Sequence, residues 1–209
     1  MKILNFLFFG FLFIPFLFRL DMAQNISNGA LLINKEVISV GQTFEAQHNN
    51  IYLVKIATNN PKFSSYREPL VFQLKESPQE KNSLVTIPFS SANIGTNYAL
   101  RMQFAPILQS QGKPYYFEIS SPQVASNSAL EIRRFEQDVY QEGDAYVNQK
   151  KTSGDLTFKV YYKVSLVQFI KDSGGDFLNR ISKDSPFVLF YILLMLTTAI
   201  VTLSSFLKR

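Results

Sequence analysis

Hydrophobic and polar residues alternate with a period of two through most of the middle of this chain. In residues 97–104 an apolar side chain occupies every second position, and four more segments repeat the pattern: Leu70–Leu74, Val85–Phe89, Tyr115–Ile119 and Leu156–Tyr162. Because successive side chains of an extended strand point to opposite faces, this pattern predicts strands with one buried and one wet face. Such strands are typical of antiparallel sheets.

One further segment, Ile51–Thr58, is apolar on both faces and predicts a more central strand. Turn-forming Asn, Pro, Ser and Gly residues separate the runs, which gives about eight or nine strands with no convincing helix between them. We therefore predict an all-β, antiparallel, jelly-roll-like β-sandwich over residues 24–163. An immunoglobulin-type topology is the alternative, although the chain lacks the Cys and Trp of that core.

The two ends of the chain depart from this pattern, because each carries an uncharged apolar run. Residues 187–207 form the C-terminal run, and only Lys208 and Arg209 follow it. About twenty residues at about 1.5 Å per residue match the thickness of a bilayer core. We predict one transmembrane helix over 187–207 with a cytoplasmic stub at 208–209. A buried core helix is the alternative.

The N-terminal run, residues 3–18, follows Met1 and Lys2 and predicts an export segment over residues 1–23. Ala23 supplies one small residue for a cleavage site, so both a cleaved signal peptide and a retained signal anchor stay open. Export places the middle of the chain outside the cell. The sequence thus predicts a single-pass protein of the plasma membrane with an extracytoplasmic domain.

Residues 164–186 are predicted to be a juxtamembrane stem. Apolar residues recur there at helical spacing, but Gly174 and Gly175 interrupt them. This pattern indicates either an amphipathic helix lying on the membrane surface or a flexible linker.

Charge and composition narrow the function classes. The net charge is +5, but Lys2, Lys208 and Arg209 are three of the 21 basic residues and lie at the ends. The small remaining excess over 16 acidic residues is unclustered, which excludes nucleic acid as an expected partner. The absence of Cys excludes thiol catalysis and, for an exported domain, favours a bacterial or archaeal source.

The search for catalytic chemistry yields no candidate. His48 is the one histidine and lies in a polar turn, where a solvated loop residue is expected. Hydrolase, zinc-protease and phosphate-loop motifs do not occur in the sequence. We therefore predict a protein that is not an enzyme, with an envelope hydrolase as a minor alternative.

Two kinds of binding site are suggested by residue type. A structural calcium ion is the only cofactor considered, held by carboxylates in loop-like stretches: Asp138, Glu142, Asp144 and Asp155. Tyr116 and Tyr161 fall on the strand faces opposite the inferred core and are the candidates for stacking against a sugar. Outward tyrosines also occur simply because they suit a pleated surface.

Several segments together resemble a jelly-roll-like extracytoplasmic module of bacterial envelope membrane proteins, some of which look like glycosyltransferases or polysaccharide polymerases. The resemblance covers roughly residues 40–163 and is carried by Gln42–Ala46, Ile51–Thr58, Val71–Pro78, Phe104–Ile107, Ser110–Pro122, Asp138–Gly143 and Gly154–Tyr162. It implies the fold and no catalytic residues. This chain lacks the many-helix body that accompanies such modules.

Two functions are expected from these observations. The first is a membrane-anchored, non-enzymatic domain that binds an envelope glycan, or a partner membrane glycosyltransferase, in polysaccharide or glycoconjugate assembly. The second is a structural or protein-interaction ectodomain that uses a sheet face or an edge strand.

Overall fold

The computed structural model describes residues 16–60, 69–96, 98–121, 130–165, 168–169, 174 and 183–207. These residues contain thirteen strands, a short 3₁₀ turn at Ser91–Asn93 and helix α1 at Ser185–Leu207. The strands are β1 Phe16–Gln24, β2 Gly29–Ile33, β3 Ser39–Glu45, β4 Ile51–Asn59, β5 Pro69–Lys75, β6 Val85–Ser90, β7 Tyr98–Ile107, β8 Pro114–Ser120, β9 Leu130–Phe135, β10 Ala145–Val147, β11 Lys150–Thr152, β12 Asp155–Leu156 and β13 Phe158–Ser165.

The strands form two sheets. In the first sheet the order is β1-β13-β4-β9-β12, with β7 paired to β4 and β2 paired to β9. The second sheet has the order β11-β10-β3-β8-β5-β6. The pairings whose register is resolved are antiparallel. Strand β4 pairs with β13, β7 and β9, which confirms the central strand predicted from its two apolar faces.

Aromatic side chains join the inner faces of the two sheets. Phe158 of the first sheet lies 5.2 Å from Phe117 and 6.1 Å from Phe44 of the second, measured between ring centroids. Around them lie aliphatic residues with no more than 1% exposure, each contributing about 1.5–3 kcal/mol by burial: Val54, Ile56, Leu70, Leu74, Ile119, Ile132 and Val160. The predicted all-β sandwich is confirmed.

The compact unit that holds the sandwich runs from Phe18 to Lys163. Residues 18–24 of strand β1 belong to this unit. Met22 is buried, and its Sδ accepts a hydrogen bond from the Tyr140 hydroxyl at 3.4 Å. The predicted boundary after Ala23 therefore falls inside a strand. The rest of the predicted export segment, residues 1–15, lies outside the described residues.

Helix α1 belongs to a separate unit and carries no charged residue over its 23 positions. The Thr197 hydroxyl donates to the Leu194 carbonyl at 2.9 Å, and Thr198 donates to the same carbonyl. Within the described part of the chain, no helix combines the length and hydropathy required to cross a membrane. Most of the predicted stem, residues 164–186, lies outside the described residues.

Candidate ligand-binding site

A groove opens on the outer face of the first sheet, the face turned away from the core between the sheets. It has a volume of about 200 Å³ and is lined on its polar side by Lys55, Thr157, Lys159 and Tyr161. Tyr161 lies on β13 between the buried residues Val160 and Tyr162, so strand alternation directs its ring outward. We call this feature the Tyr161 groove.

The strand register explains how the Tyr161 groove forms. Ala57 of β4 lies opposite Ala99 of β7, and both line the groove. Their short side chains leave space beside the long side chains of the next outward row. In that row Lys159 of β13, Lys55 of β4 and Arg101 of β7 are direct cross-strand neighbours. Small residues beside large ones thus shape the groove.

Lys55 and Tyr161 are in direct contact. The Lys55 Nζ donates to the Tyr161 hydroxyl at 3.3 Å and lies 4.4 Å from the centre of the ring. Both side chains are half-buried, so the ring and the ammonium group are presented together at the surface. This pair offers an aromatic surface, a cation and a hydroxyl donor within one small site.

A second aromatic pair lies on the same face. Phe18 of β1 stacks on Tyr52 of β4 with ring centroids 5.0 Å apart, and the Lys163 Nζ lies 5.4 Å from the Tyr52 ring centre. Burial raises the pKa of Tyr52, and the nearby Arg101 guanidinium partly lowers it. The first-sheet face therefore continues as an aromatic and basic surface beyond the groove.

Tyr116, the other predicted stacking residue, lies on the outer face of the second sheet but is completely buried. A Cβ at Gly41 would lie 2.4 Å from the Tyr116 hydroxyl oxygen and 2.5 Å from its Cε2, so the ring lies directly over this glycine. Tyr146 of β10 then packs edge-on against the ring at 5.4 Å. Tyr116 is therefore not exposed as a platform for a ligand.

Buried charge lies beside Tyr116. The Lys75 Nζ and Glu118 Oε2 are 3.2 Å apart, and both side chains are almost fully buried. Burial and the Glu118 carboxylate raise the pKa of Tyr116. The two groups are close, yet neither the Tyr116 hydroxyl nor Glu118 Oε1 has a partner in hydrogen-bond geometry among the described residues.

The four predicted calcium ligands are not gathered into one site. Asp155 is fully buried, and its carboxylate accepts hydrogen bonds from the backbone N–H groups of Val139 and Tyr140, both at 2.7 Å, and from the Gln42 amide at 3.2 Å. Its carboxylate therefore anchors the 139–140 loop to the core. The sequence placed Asp155 in a loop-like stretch as a calcium ligand, and no local pattern indicated its buried partner Gln42.

The other three carboxylates are dispersed. Asp144 pairs with Lys151 at 2.6 Å, and Glu142 accepts from the Gln47 amide at 3.5 Å. Asp138 is exposed. Among the residues that the structure describes, no three His, Cys, Asp or Glu side chains are grouped to hold a metal ion.

His48, expected as a solvated loop residue, is half exposed but has two defined contacts. Its Nδ1 lies 2.8 Å from Asp21 Oδ1, and its ring stacks on Tyr162 at 4.2 Å. The second Asp21 oxygen accepts from the Gln47 backbone N–H at 3.1 Å. His48 thus joins β1 to the turn before β4, in a contact that sequence reasoning missed.

Comparison of the chain with protein-family models, with curated proteins and with solved structures found no match. The resemblance to envelope modules stays a prediction.

Proposed function

We propose that this protein binds an envelope glycan at the Tyr161 groove and is not an enzyme. The observation that carries the proposal is the outward Tyr161 ring in a groove with the Lys55 and Lys159 ammonium groups and the Thr157 side chain at its rim. Sugars present apolar C–H faces and polar hydroxyls together, so they are matched by an aromatic surface with a few fixed polar groups.

The size of the groove supports a chain-like ligand. Its volume of about 200 Å³ is below the range of about 300–1,000 Å³ typical of sites that enclose a small molecule. One sugar residue would occupy the groove while neighbouring residues of a polysaccharide run over the sheet. Phe18, which stacks on the buried Tyr52 ring and is itself 60% exposed, offers a second contact for such a chain.

A membrane location is the second part of the proposal. The run 187–207 carries no charge, and side chains along α1 such as Leu189, Phe190 and Ile200 are at least 60% exposed. An apolar helix of this kind is stable when lipid covers it. We propose that it anchors a sandwich of the jelly-roll kind outside the plasma membrane.

The N-terminal run would direct export. Since Asp21 and Met22 contact the sandwich, we propose that residues from Phe18 onward stay with the domain after export. Alkaline carbonate extraction of cell membranes tests the anchor, because only a lipid-embedded protein stays in the pellet. N-terminal sequencing of that material tests the boundary, and a mature terminus at residue 24 would contradict it.

The sugar-binding proposal is tested with the full-length chain in neutral-lipid nanodiscs on a glycan array. Tyr161→Ala should abolish binding, whereas Tyr98→Ala, an exposed tyrosine that does not line the groove, should leave it unchanged. Absence of glycan binding, with a membrane glycosyltransferase recovered by crosslinking, would refute direct sugar recognition and support the partner alternative.

Strand β7 favours protein interaction as a second function. It is ten residues long and pairs only with β4 in the described part of the chain, so its other edge can accept a partner strand. Arg101 and Pro106 protect this edge against indiscriminate pairing. Crosslinking from an amino acid placed at Gln103, which is exposed, tests this function.

A further inference from the structure

Three cations form a line across the outer face of the first sheet. Lys159, Lys55 and Arg101 occupy the same row on the adjacent strands β13, β4 and β7. Since neighbouring strands lie about 4.8 Å apart, the row extends over about 10 Å. We call these three residues the cation row.

The described part of the chain supplies no ion-pair partner to the cation row. Elsewhere Lys75 pairs with Glu118, and Lys151 pairs with Asp144. Like charges directly opposite one another on a sheet weaken the pairing of the strands. The row therefore costs stability, which a ligand of opposite charge would offset.

The position of the cation row beside the Tyr161 groove indicates a ligand that carries negative groups. Lys55 and Lys159 line the Tyr161 groove, and Arg101 extends the row onto the exposed edge strand β7. A negative group entering the groove would meet both ammonium groups and the Tyr161 hydroxyl, while the Arg101 guanidinium can hold a carboxylate or phosphate through two hydrogen bonds.

We propose that the Tyr161 groove and the cation row bind an anionic glycan, one whose repeating units carry carboxylate or phosphate groups. This inference rests on the proposed glycan-binding function and specifies its substrate class. The sugar ring occupies the groove beside Tyr161, and charged groups on the same and the following unit contact the cation row.

The test measures binding of the full-length chain in nanodiscs of neutral lipid to polygalacturonate, whose sugar rings carry carboxylates, and to dextran phosphate, whose sugar rings carry phosphates. Fully methyl-esterified polygalacturonate is the neutral control. At least one anionic polymer should bind, and raising the salt from about 50 to about 300 mM should weaken its binding about tenfold, because salt screens exposed charges. The neutral polymer should bind at least about tenfold more weakly.

Substitutions distinguish the contribution of the cation row to binding from the contribution of the protein's overall positive charge. Lys55→Gln, Lys159→Gln and Arg101→Gln should each weaken binding about 3- to 10-fold, as expected for one partly exposed ionic contact. Lys81→Gln and Lys113→Gln remove the same charge from exposed positions outside the groove and should change binding less than twofold.

Four results would overturn the inference. Equal binding of charged and neutral polymers, lost only in Tyr161→Ala, would refute the anionic class and leave the glycan proposal standing. If neither anionic polymer binds but a neutral glycan binds on the array, the anionic class is likewise refuted and the glycan proposal stands. Displacement of the polymers when phosphatidylglycerol is included in the nanodisc would assign the row to lipid headgroups instead. Failure of every glycan would refute the proposed function itself.

Discussion

The outer faces of the two sheets follow the same alternating sequence pattern but have opposite physical character. On the second sheet Tyr116, Glu118 and Lys75 are buried, and the two charges form an ion pair. On the first sheet Lys55 and Tyr161 stay partly exposed, and Lys55 belongs to the row of three cations. Period-two patterning therefore identifies the side of a strand to which a residue points, but not whether that side is wet.

Local side-chain size decides between the two outcomes. On the second sheet Gly41 leaves space into which the Tyr116 ring folds, and Tyr146 closes over it. On the first sheet the small residues Ala57 and Ala99 lie beside Lys55 and Tyr161, and the space between them remains open as the groove. One face is closed by packing, and the other carries an open groove.

The largest expected effect comes from breaking the buried ion pair of the second sheet. Lys75→Met leaves the Glu118 carboxylate buried without its cation, which should lower the free energy of unfolding by about 3–5 kcal/mol. Urea denaturation followed by circular dichroism measures the loss. Lys55→Met, the matched change on the first sheet, should alter stability by less than about 0.5 kcal/mol.

A second variant checks the cause of that loss. Replacing both partners, Lys75→Met with Glu118→Leu, removes the uncompensated charge and should recover most of the lost stability. If the double variant were as unstable as Lys75→Met alone, packing of the lysine stem rather than its charge would explain the effect.

The next largest effect is expected when the space above Gly41 is filled by a methyl group. In Gly41→Ala the new methyl carbon would lie 2.5 Å from the Phe117 carbonyl oxygen as well as against the Tyr116 ring. Since backbone cannot move as easily as a side chain, we expect a loss of about 1–3 kcal/mol in the free energy of unfolding. Gly29→Ala is the control, because its nearest neighbour is the flexible Glu136 side chain at 3.2 Å. Equal losses in the two variants would refute the close packing of Tyr116.

A smaller effect concerns alkaline pH. Burial raises the pKa of Tyr116 and of Tyr140 above the ordinary value of 10.0. The unfolded chain therefore releases these protons first, so stability is retained below about pH 10 and falls above it, by up to about 1.4 kcal/mol per pH unit for each tyrosine. Urea midpoints between pH 9 and 11.5 should fall less steeply in Tyr116→Phe than in the unmodified chain. Parallel pH profiles would contradict the burial of an ionisable Tyr116.

Much of the fold was predictable because strand alternation is local. Three of the five alternating segments lie within single strands, residues 98–104 of the fourth lie in β7, and the fifth spans β12 and β13. Strand β4 is central. Strand β1 was missed because its residues Leu17 and Phe18 continue the apolar N-terminal run, which hid the alternation of Leu20 and Met22 with Arg19 and Asp21. The short strands β10–β12 are held by long-range pairs such as Asp155 with Gln42, which no local pattern encodes.

The candidate site was only half predictable. Alternation correctly placed Tyr161 on an outer face, and the structure places it at a groove. The cation row depends on the register between β13, β4 and β7, residues separated by dozens of positions in the chain. Nothing in the sequence indicates that Lys55, Arg101 and Lys159 are neighbours. Only the pairing of the strands brings them into one line.

The smallest expected effect concerns the stability of the cation row itself. Removing one partly exposed cation from a line of three relieves like-charge repulsion and breaks no ion pair within the described residues. Lys159→Gln should therefore leave the free energy of unfolding unchanged or raise it by up to about 0.5 kcal/mol, with the gain shrinking as salt is added. Thermal unfolding at low and high salt measures this, with Lys113→Gln as the control for charge alone. A clear destabilisation would mean that Lys159 holds the first sheet together, and the contrast between a stabilising face and a binding face would then fail.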